Sequence, residues 1–401
     1  MKISIFLISL LLIIIVPNTF YMYYDESTST GVGLAITILI ICFLYLLQYR
    51  GFNLDKSLLP IFIFLIFTFL TSIYSMISFD TFEYKRFFLS YLLIYICVLA
   101  VFCFVIFSLK IIDRKVYNYV SFVFYIILFD GIYLLIKNTF FIWGKKTLLF
   151  PEMSHFSIIF GPLLLFKVLT SKNTTYIYSI ILISLILALN IQNLTLLIST
   201  FFIMMIYSIK KTFLFFLIPV SIGALYFDLG DFTYFIDRIP SIDSKNVSTI
   251  VFLSGWERVY LNLIDSNFFG IGFNQLGIVG NKGFYQSELT RLGLPGLNIY
   301  DAGGVAPKLL SELGIIGIAF IFGYLFYLAK AIYIVKKKKL IYNYLDTFYI
   351  SIFIMSFVSM FIRSSGYFSP IVFLLLSSII YINKFKLTDH NIFLNRKIPK
   401  L

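Results

Sequence analysis

The sequence is short of charged residues, of histidine and of cysteine. Only 13% of its 401 residues are Asp, Glu, Lys or Arg, and 60% are hydrophobic, whereas soluble domains carry about 25% charged residues. So little polar surface cannot cover a soluble globular protein, and the mean hydropathy of +0.96 agrees. The composition therefore excludes a soluble fold and indicates that the protein has the lipid bilayer as its solvent.

Several patterns of reactive sites are missing as well. The three cysteines, Cys42, Cys97 and Cys103, fall inside apolar runs, which excludes a disulfide framework and a thiolate metal site. The chain has no metal-ligand cluster, no Walker-type phosphate loop and no Asp-x-Asp pair of the kind that holds a metal with a nucleotide-sugar diphosphate. We therefore predict no metal and no cofactor, and any sugar donor is expected to be other than a nucleotide sugar.

The net charge of +13 would suggest nucleic acid as the partner of a soluble protein. Here the basic residues stand at the ends of apolar runs, where cations set the orientation of a membrane protein. We therefore predict no binding of nucleic acid.

Long apolar runs are what the sequence has in quantity. A transmembrane helix needs about 20 apolar residues, and this measure predicts twelve spans. The spans are 3–21, 32–48, 57–78, 87–109, 117–136, 154–170, 175–190, 193–209, 212–227, 307–334, 345–362 and 367–383. Only "NIQN" lies at the junction of the seventh and eighth runs, so a re-entrant hairpin is the alternative for that pair.

The distribution of lysine and arginine predicts the orientation of these spans. With the N-terminus inside, 20 of the 32 basic residues face the cytoplasm and only six lie in short outer loops or at outer span ends. Short loops rich in Lys and Arg stay on the cytoplasmic side. We therefore predict that both termini are cytoplasmic.

The spans divide the chain into four parts. Residues 1–227 form transmembrane helices 1–9, 228–306 a large outer loop, 307–383 helices 10–12, and 384–401 a cytoplasmic tail. The loop is the longest extramembrane segment, and 13 charged residues fall between 228 and 301. An enzyme that acts at the outer membrane surface has a use for such a loop, whereas a channel or carrier has little.

The most informative stretch of the loop is "LSGWERVYLNLIDSNFFGIGF", residues 253–273. Ser254 and Glu257 read as a capping box that starts a helix, and Arg258, Asn262 and Asp265 then share one polar face. A glycine-rich segment follows, and an arginine near backbone amides suits a phosphate or pyrophosphate. The alternative is an amphipathic helix on the membrane surface, with the arginine among lipid headgroups.

Polar residues also gather where two spans begin on the outer side. In "YDAGGVAPKLLSELGIIG" (300–317), Asp301 precedes the tenth span, and Lys308 and Glu312 lie one turn apart within it. Ionisable residues at the edge of a span often mark function, and a carboxylate can take a proton from an attacking hydroxyl. The alternative is that Lys308 and Glu312 only pair with each other.

The sixth span begins with "LFPEMSHF", where Glu152 and His155 stand side by side at the outer end. His155 is a candidate general base or glycan ligand, and a purely structural hydrogen-bonding role is the alternative. Arg363, at another outer helix end, can bind phosphate or extend to lipid headgroups.

With these residues in view, the sequence resembles the O-antigen polymerase (Wzy-type) family of the O-antigen polymerase and ligase superfamily. Four stretches carry the resemblance: "FPEMSHFSIIFGPLLL", "NLTLLIS", "SGWERVYLNLIDSNFFGIGFNQLG" and "DAGGVAPKLLSELGIIG". The plan also matches, with ten to fourteen spans and one large outer loop late in the chain. The resemblance implies an all-α polytopic fold with a periplasmic loop, similar to lipid-donor glycosyltransferases of the bacterial inner membrane.

The resemblance also implies a substrate and a mechanism. An undecaprenyl-pyrophosphate-linked oligosaccharide donates the growing glycan to the next lipid-linked unit, without metal or cofactor, and a chain-length regulator protein is an implied partner. Arg258 matches the loop arginine that holds the donor pyrophosphate, and Arg291 is a second candidate. The related ligases have an "HN"-like motif where this chain has Asp301-Ala-Gly, so Asp301, Glu152 and His155 remain alternatives for the base.

Two other functions stay open from the sequence. One is a ligase that passes the glycan to lipid A core, against which the Asp301-Ala-Gly segment argues mildly. The other is a flippase or carrier for lipid-linked oligosaccharides, which predicts repeated halves and short loops on both sides.

Overall fold

The computed structural model of the protein describes residues 4–24, 29–49, 56–140, 147–207, 234–241, 244–338, 343–364 and 366–385. The predicted span 212–227 lies outside these residues, as do the start of the large loop, 228–233, and residues 386–401 of the tail. Within the described part, every named element is an α-helix or a single 3-10 turn, which confirms the all-helical prediction.

Fourteen helices have described bounds, and we number them in chain order. They are α1 (Ile5–Tyr24), α2 (Ser29–Gln48), α3 (Leu59–Ser78), α4 (Tyr84–Leu109), α5 (Asp113–Phe140), α6 (Met153–Thr170), α7 (Thr174–Asn190), α8 (Leu194–Tyr207), α9 (Val247–Asp265), α10 (Gly283–Arg291), α11 (Val305–Leu313), α12 (Ile315–Lys338), α13 (Tyr344–Phe361) and α14 (Pro370–Phe385).

Eight of the described helices are long and apolar enough to cross a bilayer: α1 to α6, α12 and α13. Helices α7, α8 and α14 are apolar but shorter. The protein is therefore a polytopic membrane protein, as its composition predicts.

Helices α6 and α13 pack against each other and form the centre of the bundle. Ser157 of α6 and Ser356 of α13 each donate a hydrogen bond to a carbonyl one turn earlier in the same helix, which satisfies these two hydroxyls. The surrounding helices expose large apolar side chains, including Leu39, Phe67 and Phe322. Apolar residues therefore cover the outside as well as the inside, as expected when lipid surrounds the protein.

The prediction of one continuous span over 307–334 is wrong. Helix α11 ends at Leu313 and α12 begins at Ile315, because Gly314 has a positive φ of 54° that ends the first helix. At this break the amide of Ile315 donates to the carbonyl of Phe268 (2.8 Å), and the amides of Ile271 and Gly272 donate to carbonyls at the end of α11. The loop after α9 is thus joined to the broken helix by backbone hydrogen bonds.

The predicted capping box at Ser254 and Glu257 is also wrong. Helix α9 begins at Val247, with the side chain of Asn246 accepting a hydrogen bond from the amide of Ser248 (3.0 Å). The Glu257 carboxylate instead accepts hydrogen bonds from the amides of Phe284 and Tyr285, at the start of α10 (2.8 and 2.9 Å). Glu257 therefore caps a different helix from the one that contains it, and joins α9 to α10.

The break at Gly314 predicts that adding a single methyl group at this position lowers the stability of the protein. In Gly314→Ala the new Cβ would overlap the carbonyl oxygen of Phe268, at a backbone angle that alanine rarely adopts. Such strained conformations cost about 1–3 kcal/mol even without a clash, which for a chain of this length lowers the midpoint of thermal unfolding of the purified protein by roughly 1–4 °C, and the overlap adds to this fall.

Gly323→Ala is the matched control. It lies within α12, and a Cβ there meets no atom within 4 Å, so unfolding should stay unchanged or improve slightly. Equal stability of the two variants would refute the importance of the break.

Candidate functional site

Three large cavities lie at one end of the bundle, where α1 and α13 end and α6 begins. Neighbouring cavities share lining residues, so they form a connected series. We name them the central cavity (about 480 Å³), the α2–α4 cavity (about 580 Å³) and the α8–α9 cavity (about 630 Å³). These volumes fall in the range of ligand sites, about 300–1,000 Å³.

The central cavity contains the three residues that the sequence analysis offered as catalytic. Glu152 and His155 come from the start of α6, Asp301 precedes α11, and Arg363 follows α13. The chain segment 293–301 forms another wall. Residues far apart in the sequence are therefore brought to one space.

Glu152 and Arg363 form an ion pair across the wall between the central and α8–α9 cavities, with 3.3 Å between Oε2 and Nη2. Burial raises the pKa of the Glu152 carboxyl, but the charges of His155 and Arg363 and two hydrogen bonds outweigh it, so the pKa lies below its usual value. Glu152 is therefore a carboxylate at neutral pH, able to accept hydrogen bonds from a ligand.

Three cations and two carboxylates line the α2–α4 cavity, and one of the carboxylates is Glu83. Lys85 and Arg86 at the start of α4 line it together with Lys308 and Asp301. The guanidinium of Arg86 lies 4.4 Å from the ring centre of Tyr300. Apolar residues of α2 and α4 continue the lining, namely Val32, Ala35, Leu89 and Leu93, of which Val32 and Leu89 are also exposed on the outside of the bundle.

Lys308 is almost completely buried, and polar groups of the same chain surround its ammonium group. Its Nζ donates to the carbonyl of Tyr300 (2.7 Å) and to Oδ1 of Asn274 (3.0 Å). The Nζ lies 3.7 Å from Asp301 and 4.0 Å from Glu312. Lys308 thus does more than pair with Glu312, because it also holds Asp301 and the loop around Asn274 in place.

Asp301 lines both the central and the α2–α4 cavities and is the charged residue that the two cavities have in common. Its side chain is 23% exposed. Gly366, with a positive φ of 82°, comes so close that a Cβ there would overlap Oδ1 of Asp301. The carboxylate is therefore held between Lys308 on one side and the chain before α14 on the other.

Glu312 and Asn262 lie in the interior and support the loop. The Glu312 carboxylate accepts hydrogen bonds from the amides of Asn274 (2.8 Å) and Leu276 (3.0 Å). Oδ1 of Asn262 accepts from the amide of Asn281 (3.1 Å). Both side chains are completely buried and line none of the three cavities, so their geometry is that of loop supports rather than of substrate ligands.

Arg258 has a similar position, although the sequence analysis expected it at a pyrophosphate. Its guanidinium donates to the carbonyls of Ile299 (2.5 Å) and Asn298 (3.2 Å), and it is 2% exposed. Burial lowers the pKa of Arg258 to about 10, opposed by acidic neighbours, so the group stays charged at neutral pH. None of the three cavities is lined by Arg258. It fixes the segment that forms the wall of the central cavity.

Arg291 lies apart from the cavities, at the end of α10. Its side chain is 75% exposed and pairs with Glu288 at 2.7 Å. In contrast, Arg86 and Arg238 line cavities although the sequence analysis did not single them out. The sequence signalled these two residues only by their position, since Arg86 stands at the start of an apolar run and Arg238 in the long segment between the predicted ninth and tenth spans.

Comparisons with protein-family models, with curated proteins and with solved structures give no significant match for this chain. Among the described residues, no three His, Cys, Asp or Glu side chains are grouped in a way that could hold a metal ion. The function is therefore inferred from the geometry of the three cavities.

The position of Arg258 predicts a structural effect of its removal. In Arg258→Ala the carbonyls of Asn298 and Ile299 lose their donor, and a buried group without a partner costs about 1–3 kcal/mol. The thermal unfolding midpoint should therefore fall clearly, while Arg291→Ala, at an exposed ion pair, should leave it nearly unchanged. Unchanged stability of Arg258→Ala together with lost activity would instead put Arg258 at the substrate.

Proposed function

We propose that the protein is an oligosaccharide repeat-unit polymerase of the O-antigen type in the inner membrane of a bacterium. It transfers the growing glycan from undecaprenyl pyrophosphate to the next lipid-linked repeat unit at the periplasmic face, without metal or cofactor. In this proposal twelve helices span the membrane, both termini are cytoplasmic, and the large loop is periplasmic.

The observation that carries the proposal is the position of Asp301. This carboxylate lies in the wall shared by a cavity that three cations line and a cavity with two further acid–base groups, Glu152 and His155. A transferase needs one site for a donor, one for an acceptor, and a base between them. Two adjoining cavities with a carboxylate in their common wall support this assignment.

The α2–α4 cavity suits the donor. A lipid diphosphate has a long apolar chain and an anionic head, and the cavity combines apolar residues of α2 and α4 with Lys85, Arg86 and Lys308. When the glycosidic bond to the diphosphate breaks, negative charge grows on the leaving oxygen. Fixed cations aimed at that charge lower the barrier, and guanidinium groups bind such oxyanions with two parallel hydrogen bonds.

The central cavity suits the acceptor sugar. Its hydroxyl oxygen attacks the anomeric carbon of the donor glycan while Asp301 takes the hydroxyl proton. A new C–O bond forms, the bond from the anomeric carbon to the diphosphate oxygen breaks, and undecaprenyl pyrophosphate leaves with the electron pair. Glu152 and His155 line the same space and can accept hydrogen bonds from the acceptor.

Deletion of the gene in its own strain tests the proposal. Surface lipopolysaccharide resolved on a gel should lose its ladder and keep core with a single repeat unit. A ligase or flippase would leave bare core, and that pattern would refute the polymerase. Restoration of the ladder by the wild-type gene is the control.

Asp301→Asn tests the base. The amide keeps the shape of the side chain but cannot accept the proton, so chain elongation should fall by about 100- to 10,000-fold at normal protein level. The control is Asp265→Asn, which changes an exposed carboxylate of α9 outside the three cavities and should keep the ladder. Normal elongation by Asp301→Asn would exclude Asp301 as the base.

A further inference from the structure

The α8–α9 cavity is lined by Arg238, a cation that has no part in the transfer step described above. Arg238 and Arg363 both line it, and Arg363 is paired with Glu152 at 3.3 Å. Among the described residues, no carboxylate forms an ion pair with Arg238. Its guanidinium lies 4.0 Å from the ring centre of Tyr234, and its Nε is buried without a hydrogen-bond partner.

The two arginines face the same space. The pKa of Arg238 is lowered by burial, and the nearby charge of Arg363 lowers it as well. The described lining of the cavity holds these two arginines and a single carboxylate, Glu152, which leaves an excess of positive charge. A partly buried charge of this kind is costly unless an opposite charge meets it, so the cavity fits an anionic group.

The remaining lining fits a sugar around that anion. Apolar side chains can lie against the C–H faces of sugar rings, and hydroxyl and amide groups can bond to their hydroxyls. The apolar residues are Ile191, Leu194, Ile198, Val251, Phe252 and Ile362, and the polar ones are Asn193, Thr195, Ser248 and Thr249.

The cavity also continues the path of the glycan. It shares Glu152 and Arg363 with the central cavity, in which the acceptor sugar meets Asp301. An oligosaccharide with its terminal sugar in the central cavity therefore extends past the Glu152–Arg363 pair. Its next sugars enter the α8–α9 cavity and meet Arg238.

We propose that the α8–α9 cavity binds a carboxylated sugar of the repeat unit, with Arg238 as its main ligand and Arg363 beside it. This inference rests on the proposed polymerase function and adds the substrate class, a glycan that contains an acidic sugar. Arginine is suited to this task because its planar fork binds a carboxylate through two parallel hydrogen bonds.

Binding to the purified full-length protein in detergent micelles tests the inference. The probes are methyl β-glucuronide and methyl β-glucoside, which differ only at C6, a carboxylate in the first and a hydroxymethyl group in the second. Their binding is measured by saturation-transfer NMR. The glucuronide should bind at least tenfold more tightly, and its binding should weaken with salt. Arg238→Gln should abolish this preference, and Arg238→Lys should keep part of it. Arg291→Gln, an exposed arginine outside the cavities, should change nothing.

A lipid phosphate is the other possible source of the anion, and farnesyl pyrophosphate is its probe. Its binding should depend on Arg86, in the α2–α4 cavity, and should survive Arg238→Gln. Loss of farnesyl pyrophosphate binding in Arg238→Gln, or its displacement of the glucuronide, would overturn the inference in favour of a lipid site. Equal affinity for glucuronide and glucoside would also overturn it.

Sugar analysis separates this inference from the proposed function. If gene deletion stops chain growth and the wild-type glycan contains a uronic or other carboxylated sugar, both stand. If deletion stops chain growth but the glycan is neutral, the polymerase stands and the acidic-sugar site is refuted. If deletion leaves bare core, the polymerase is refuted, and the inference that rests on it falls with it.

Discussion

The site depends on how a non-helical loop satisfies its backbone groups at the end of a membrane bundle. Residues 268–276 follow α9 and pack into the break between α11 and α12, where a bare amide or carbonyl is costly. The Glu312 carboxylate accepts hydrogen bonds from the amides of Asn274 and Leu276. The hydroxyl of Ser72 accepts one from the amide of Phe273, and the hydroxyl of Ser75 donates one to the carbonyl of Gly270. A charged acceptor forms stronger hydrogen bonds than a neutral one, so Glu312 is the main support of this loop.

The loop in turn positions the groups that line the cavities. Asn274 accepts a hydrogen bond from Lys308 and, through its carbonyl, one from Arg86 (2.8 Å). Lys308 then lies beside Asp301, and Arg258 holds the two residues that come shortly before Asp301. The carboxylate between the two cavities is therefore placed by a chain of contacts that begins at the helix break.

Much of the fold was predictable, because a membrane span requires a continuous run of apolar residues that can be recognised in the sequence. Predicted ends for α3, α6 and α13 agree with the structure to within a few residues. The break at Gly314 was not predictable, since "LGIIG" continues an apolar run and glycine is tolerated within membrane helices. The predicted capping box at Ser254 and Glu257 was wrong because the same residue spacing also occurs inside a helix. Only the hydrogen bond from the amide of Phe284 to Glu257 shows that this carboxylate caps α10. Asp301, Glu152 and His155 were found from their place at helix ends, whereas the cavity that joins them depends on contacts between distant segments.

The arginines show why residue type alone does not identify a ligand site. Arg258, Arg86 and Arg238 carry the same guanidinium group at the same end of the bundle. Arg258 directs both terminal nitrogens to carbonyls of its own chain and is closed off from every one of the three cavities. Arg86 donates from its Nε to the Asn274 carbonyl and lines the α2–α4 cavity, and Arg238 stacks on Tyr234 and lines the α8–α9 cavity. A buried arginine whose three nitrogens each bond within the chain stabilises the fold, whereas an arginine that lines a cavity is placed where an anion could reach it. That difference moves the expected anion contacts from Arg258 to Arg86 and Arg238.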